Sequence, residues 1–102
     1  MKEKVERTIK IKIAICLNKF LQRNKELYEA DKKNKDIAKS YNDIALNADL
    51  RKATVSDVFN GKNMPEITTL FPILEAMGYT LMDFATLYNS IKTSDVENFK
   101  IE

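Results

Sequence analysis

The chain contains no histidine, one cysteine, two glycines and two prolines in 102 residues. Each scarcity removes a class of chemistry. Without histidine, neither a His–Cys zinc site nor a Ser–His nucleophile pair can be built. Cys16 alone cannot close an internal disulfide, which favours a reducing compartment. With only Gly61 and Gly78, no glycine-rich phosphate loop exists. No apolar run reaches the ~18 residues of a membrane span. Lys10 and Lys12 interrupt what would have to be the apolar part of a signal peptide. Carboxylate pairs such as Asp43 and Asp49 stand at solvent-type positions with no sign of a cleft. The expectation is a cytoplasmic protein that is not an enzyme and carries no metal or cofactor.

What is present points to helices. Apolar residues make up 44% of the chain and charged residues 31%, ordinary for a water-soluble domain. Scarce Gly and Pro beside plentiful helix formers imply an all-α fold, and the length suits one domain. The net charge of +2 is unevenly spread. Residues 1–25 carry eight basic side chains against Glu3 and Glu6, residues 26–63 balance, and residues 64–102 hold two lysines against six acids. One end is basic and the other acidic, a polarity that orients a molecule on a polyanion.

Along the chain, Val5, Ile9, Ile13, Cys16, Leu17, Phe20 and Leu21 recur at spacings of three and four, so a first amphipathic helix is expected over 4–23. Ile11 and Ile15 fall on its other side, either as surplus packing or as a partner contact. Cys16 lies on the core stripe and reads as inert packing. In residues 24–40, Leu27, Tyr28, Ile37 and Ala38 fit either a continued helix or a packed flap around a polar tip. Lys32, Lys33 and Lys35 sit at that tip among acids.

The stretch from Ser40 to Asn63 is the most informative. Ser40 followed by Asp43 is a capping-box spacing, and Ile44, Ala45 and Ala48 give a short helix its apolar stripe. Asp49 suits a left-handed turn. A second helix from about Lys52 to Asn60 turns Val55 and Val58 inward and stops at Gly61. Its outer face, Arg51, Lys52, Ala53, Thr54, Ser56 and Asp57, is short or hydrogen-bonding, a poor choice for burial. Beyond it, Glu66–Met77 carries Ile67, Leu70, Phe71, Leu74 and Met77 on one face, with a kink or late start expected at Pro72. Thr80 opens a last helix through Leu81, Phe84, Leu87 and Tyr88, towards Ile91. Residues 92–102 read as a polar, frayed tail beyond a single domain of 1–91.

From Ser40 to Phe84 the chain resembles the Cro/phage-repressor (Xre-type) helix-turn-helix family. The matching pieces are the Ile44-Ala45 pair, the Thr54-Val55-Ser56 run, Asn60-Gly61-Lys62, Pro65, Thr69-Leu70 and the hinge Ala76–Phe84. Asp49 stands where the family usually has Gly, Tyr41 where it often has Gln, and Phe59 where it often has Glu; Phe59 reads as packing against the first helix. The resemblance implies a five-helix lambda-repressor-like domain, here with a long first helix and an insertion at 25–39 before the helix-turn-helix at 40–60. It also implies double-stranded DNA as partner. Arg51, Lys52, Ala53 and Asp57 would read bases, and Tyr41, Asn42, Thr54, Asn60 and Lys62 would hold phosphates.

The function so implied is a transcriptional regulator, a repressor, acting as a homodimer on a symmetric operator. The expected dimer seam is Phe84, Leu87, Tyr88 and Ile91, with Ile11–Ile15 as the second candidate. An antitoxin that binds a toxin partner is one form of this reading. The rival is a protein-interaction module that has kept the fold and lost DNA, motivated by the neutral 41–63 segment and by Asp57 on the reading face.

Overall fold

A computed structural model of the chain describes residues 2–33 and 37–100. Lys35, which the sequence reading put in a polar tip, and the last two residues of the chain lie outside them. Six α-helices are present among the described residues: α1 Lys2–Ala30, α2 Tyr41–Ala48, α3 Lys52–Phe59, α4 Ile67–Met77, α5 Leu81–Ser90 and α6 Thr93–Asn98. The fold is all-α.

The first helix sets the dimensions. At about 1.5 Å per residue its 29 residues span roughly 43 Å, close to the 47 Å long axis of a molecule 26 Å across. It is longer than the 4–23 expected, because residues 24–30 continue it with good helix formers. Asn24, at the point where the apolar stripe ends, finds buried partners in place of water. The connector therefore begins as helix, and of the two readings for Leu27 and Tyr28 the continued helix is the one adopted.

Helix α1 is buried around most of its circumference at mid-length. Ile11, Ile13, Ala14, Ile15, Cys16 and Leu17 are all buried. α3 and α4 pack against it, and so do α5 and α6. A helix apolar on all sides needs such a surround. This corrects the partner face expected at Ile11 and Ile15, which are 1% and 8% exposed within one protomer. At its start, Val5 is exposed, so the stripe begins only at the half-buried Ile9.

Helices α2 and α3 are too short to persist alone and are held by this packing. Ile44, Ala45, Val55, Val58 and Phe59 point inward and are buried. α4 lies against α2 and passes Pro72 unbroken, giving up only the bond to the Thr68 carbonyl that a proline cannot donate. Ile67 is exposed although a core position was expected, and Ile73, fully buried, takes the inner face instead. Gly78 (φ 85°) closes α4: its amide bonds to Glu75 O and that of Tyr79 to Leu74 O, the paired bonds of a Schellman stop. Thr80 and Asp83 then form a reciprocal capping box that starts α5.

The C-terminal part departs most from expectation. Residues 93–98 form α6, and Val96 and Phe99 pack onto the core beside α1. The frayed tail is thus corrected for those residues. Phe84 and Ile91 are buried, and Leu87 and Tyr88 are half-buried against the same core. Lys12 Nζ sits 5.3 Å from the centre of the Tyr88 ring. The face expected to form a dimer seam is therefore occupied inside the protomer.

Candidate nucleic-acid interface

The interface is built from α2, the turn and α3. Ser40 Oγ accepts the Asp43 amide (3.1 Å) and starts α2. The Asp43 carboxylate reaches back to the Lys39 amide (3.2 Å), one residue before the position that would complete a capping box. That bond fixes the approach of the connector as well as the helix start. Asp49 ends α2 in the left-handed region (φ 56°, ψ 49°), where an Asp is tolerated at modest cost. The Leu50 amide returns to Ala45 O (2.9 Å), which also accepts from the Asp49 amide, so two bonds to one carbonyl close the helix as the chain reverses.

Helix α3 follows with Arg51 as an extended N-cap whose side chain makes no capping bond. Arg51, Lys52 and Ala53 are exposed, Thr54, Ser56 and Asp57 half-buried, and Val55, Val58 and Phe59 buried. Neither Arg51 nor Lys52 has an ion pair among the described residues. Two cations and a small apolar residue thus project together from the N-terminal end of α3. Asp57 Oδ2 accepts from Asn63 Nδ2 (3.3 Å), an uncharged partner that leaves its charge in place. Asn60 Nδ2 donates to Ser56 Oγ (3.3 Å). At the far end Gly61 (φ 72°) makes the same two-bond stop as Gly78, with the Lys62 amide on Asp57 O (2.9 Å). Lys62 is exposed just beyond it.

What holds this surface in place was not legible in the sequence. Asn18 Nδ2 donates to Phe59 O (2.8 Å) as well as to Ala14 O (2.7 Å), tying the last carbonyl of α3 to α1. Phe59 is fully buried, with its ring 5.0 Å from that of Tyr41, so the end of α3 packs against the start of α2. Asn24 is 2% exposed. Its Nδ2 donates to Ala38 O (2.8 Å) and Met77 O (3.0 Å), and its Oδ1 accepts from the Tyr79 hydroxyl (3.0 Å). One amide joins α1, the connector and the α4–α5 hinge. The sequence signal for both residues was weak: an asparagine is a mediocre choice inside a helix unless its side chain has work elsewhere.

A groove of about 330 Å³ opens where these elements meet, lined by Asn18, Leu21, Lys25, Lys39, Ser40, Tyr41, Asn42 and Lys52. It brings together Tyr41, Asn42 and Lys52 from the sequence reading with Lys25 and Lys39, which that reading missed. Thr54, Asp57, Asn60 and Lys62 lie elsewhere along α3 and its exit. Cys16 takes no part: burial raises its thiol to about 11, against the opposing pull of Lys19 and Lys12.

Two short helices held nearly all by packing, joined by a left-handed turn and showing basic residues at the start of the second, define a helix-turn-helix of the DNA-binding class. A helix-turn-helix family model matches residues 33–84, just over half of the chain. The chain belongs to the Cro/phage-repressor (Xre-type) helix-turn-helix family, and its general role is that of a DNA-binding transcription regulator. No curated protein and no solved structure matches it. No helix among the described residues is long and apolar enough to cross a membrane.

Proposed function

We propose that this protein is a sequence-specific transcriptional repressor that reads the major groove of a two-fold symmetric operator as a homodimer. The observation that carries the reading is the exposure of Arg51, Lys52 and Ala53 at the N-terminal end of α3 while its opposite face is buried. Arg51 and Lys52 donate to guanine O6 and N7, and Ala53 meets a thymine methyl. Asp57 accepts from a cytosine amino group once Asn63 yields its carboxylate. Tyr41, Asn42, Thr54, Asn60 and Lys62 hold phosphates on either side. The working unit is one helical domain, with α6 as part of it.

With Ile11, Ile15, Phe84 and Ile91 buried within the protomer and Leu87 and Tyr88 half-buried against its core, the dimer seam falls to apolar side chains still in solvent. Leu81 and Met82, 53% and 75% exposed at the start of α5, supply it, with the half-buried Phe71 sharing a groove with Leu81. The second copy sets two recognition helices about 34 Å apart, one turn of DNA.

Selection of duplexes from a random pool at two salt concentrations tests this. A palindromic consensus is expected, with affinity falling steeply as salt rises. Lys52→Ala should lose discrimination between sites. Lys62→Ala should weaken all sequences alike and flatten the salt slope by about one. Met82→Glu should yield monomers in sedimentation and weaken binding to the full palindrome. A pool that shows no enrichment would remove the DNA-reading role.

A further inference from the structure

The last two turns of α1 do more than lengthen it. Asn24, Lys25 and Tyr28 each act on the connector or on the groove in front of it. Asn24 pins the carbonyl of Ala38, the residue before Lys39. Lys25 lines the groove wall. The Tyr28 ring carries Lys39 Nζ 4.2 Å from its centre, and Asp43 Oδ2 stands 3.8 Å from the same nitrogen. Across the groove stand Lys52 and Asn42. Three lysines from α1, the connector and α3 therefore border one cavity of about 330 Å³ that no carboxylate lines. Asp43, outside the lining, accepts the Lys39 amide through the same Oδ2 that pairs with Lys39 Nζ, so it offsets one of the three charges.

We propose that this groove is a phosphodiester site in which Lys25 and Lys39, beside the base-reading Lys52, grip the DNA backbone at the edge of the major groove that α3 enters. The proposal rests on the DNA-binding reading above and assigns a role to the part of α1 beyond the expected helix. The ligand follows from the lining: three like charges with one carboxylate between them, Asp43 beside Lys39, leave an excess of positive charge that calls for a compact anion, and polar Asn18, Ser40 and Asn42 supply hydrogen bonds to its oxygens. Its source follows from Lys52, which belongs both to the reading end of α3 and to the groove. A phosphate held there lies on the strand flanking the bases that Arg51 and Ala53 meet. Lys39 is held before DNA arrives, so little side-chain freedom is lost on binding.

The test uses the full chain and its selected duplex. The double variant Lys25→Met/Lys39→Met removes two charges and keeps the aliphatic stems. Its control, Lys32→Met/Lys33→Met, removes the same charge from exposed connector positions that do not line the groove. The groove variant should bind roughly tenfold more weakly on every sequence, with a salt slope flatter by about one to two, while its selected consensus stays the same. The control should stay within about twofold. Ethylation interference adds a readout independent of bulk affinity: a phosphate beside each half-site whose alkylation blocks the parent should become indifferent in the groove variant. Equal losses in both doubles, or an unchanged interference pattern, would overturn the proposal and leave DNA reading intact. So would saturation of the groove amides of Asn42 and Lys52 by millimolar inorganic phosphate with DNA affinity unaltered, since the site would then serve a free anion. A parent chain that binds no duplex would remove the underlying reading, and this proposal with it.

Discussion

Replacing Asn24 by leucine isolates the buried amide that joins three parts of the fold. The side chain keeps its size and loses one donor group and one acceptor. Ala38 O and Met77 O then lose the hydrogen bonds of 2.8 and 3.0 Å they accept from Asn24. Ala38 and Met77 are 1% and 4% exposed, so water cannot readily replace the amide. Each stranded carbonyl costs about 1–2 kcal/mol, and the lost bond from the half-buried Tyr79 hydroxyl about 1 kcal/mol more. A total of roughly 3–5 kcal/mol is a large part of the ~5–15 kcal/mol that holds a domain of this size together. At about 4–8 °C per kcal/mol, melting should fall by roughly 12–40 °C. Urea unfolding followed by circular dichroism measures it, with an unchanged slope as the sign that only the native state has been altered. Tyr79→Phe should cost about 1 kcal/mol in the parent and almost nothing beside Asn24→Leu, a coupling that a double-mutant cycle reads directly. If Asn24→Leu lies within about 1 kcal/mol of the parent, an apolar filler serves as well as the amide and the reasoning fails.

The remaining expectations are shorter. The Cys16 thiol is held protonated up to about 11 in the folded chain against a model-peptide value of 9.0, mainly by burial. A raised pKa contributes stability that is complete below pH 9 and lost as pH rises towards 11, so chemical denaturation in that window should show a decline that is smaller in Cys16→Ala, where burial of the Tyr79 and Tyr88 hydroxyls, which raises both, accounts for what is left. Native protein at neutral pH should react with thiol reagents only as fast as it unfolds. Val96→Ala/Phe99→Ala loosens α6, and for half-buried side chains a loss of about 2–3 kcal/mol is expected in the same urea assay. The double variant should also bind hydrophobic dyes more strongly than the parent. Stability equal to the parent would show α6 to be dispensable.

The helix-turn-helix was legible because its boundaries are written in local chemistry. Ser40 caps through its own hydroxyl, Asp49 takes the left-handed turn, and Gly61 closes α3, each needing only its near neighbours. The exposed start of α3 was legible for the same reason: a row of short polar residues opposite Val55 and Val58 has one sensible orientation. The failures concern partners distant in sequence. Ile11 and Ile15 looked surplus because α1 is packed by four later helices, among them α6, a short segment with only Val96 and Phe99 as its core-packed side chains. The length of α1 was underestimated because its apolar stripe ends near Leu21, after which single polar contacts sustain it. Asn24 reaches residues 14 and 53 positions away, and Asn18 reaches 41. Periodicity carries no trace of such bonds. Lys25 and Lys39 share a groove only after these contacts have formed, so part of the candidate site was invisible for the reason that the long helix was.

Because α1 touches α3, α4, α5 and α6 along one buried length, no large piece of this chain can come apart while the rest stays folded. Removing α1 in thought leaves short helices whose apolar faces have nothing to cover. Amides between Ile11 and Leu17 should then exchange with solvent only when the entire molecule opens, at the rate of its slowest, global unfolding. In a cell, a regulator of this design persists whole or is degraded whole, and its lifetime is set by a single equilibrium.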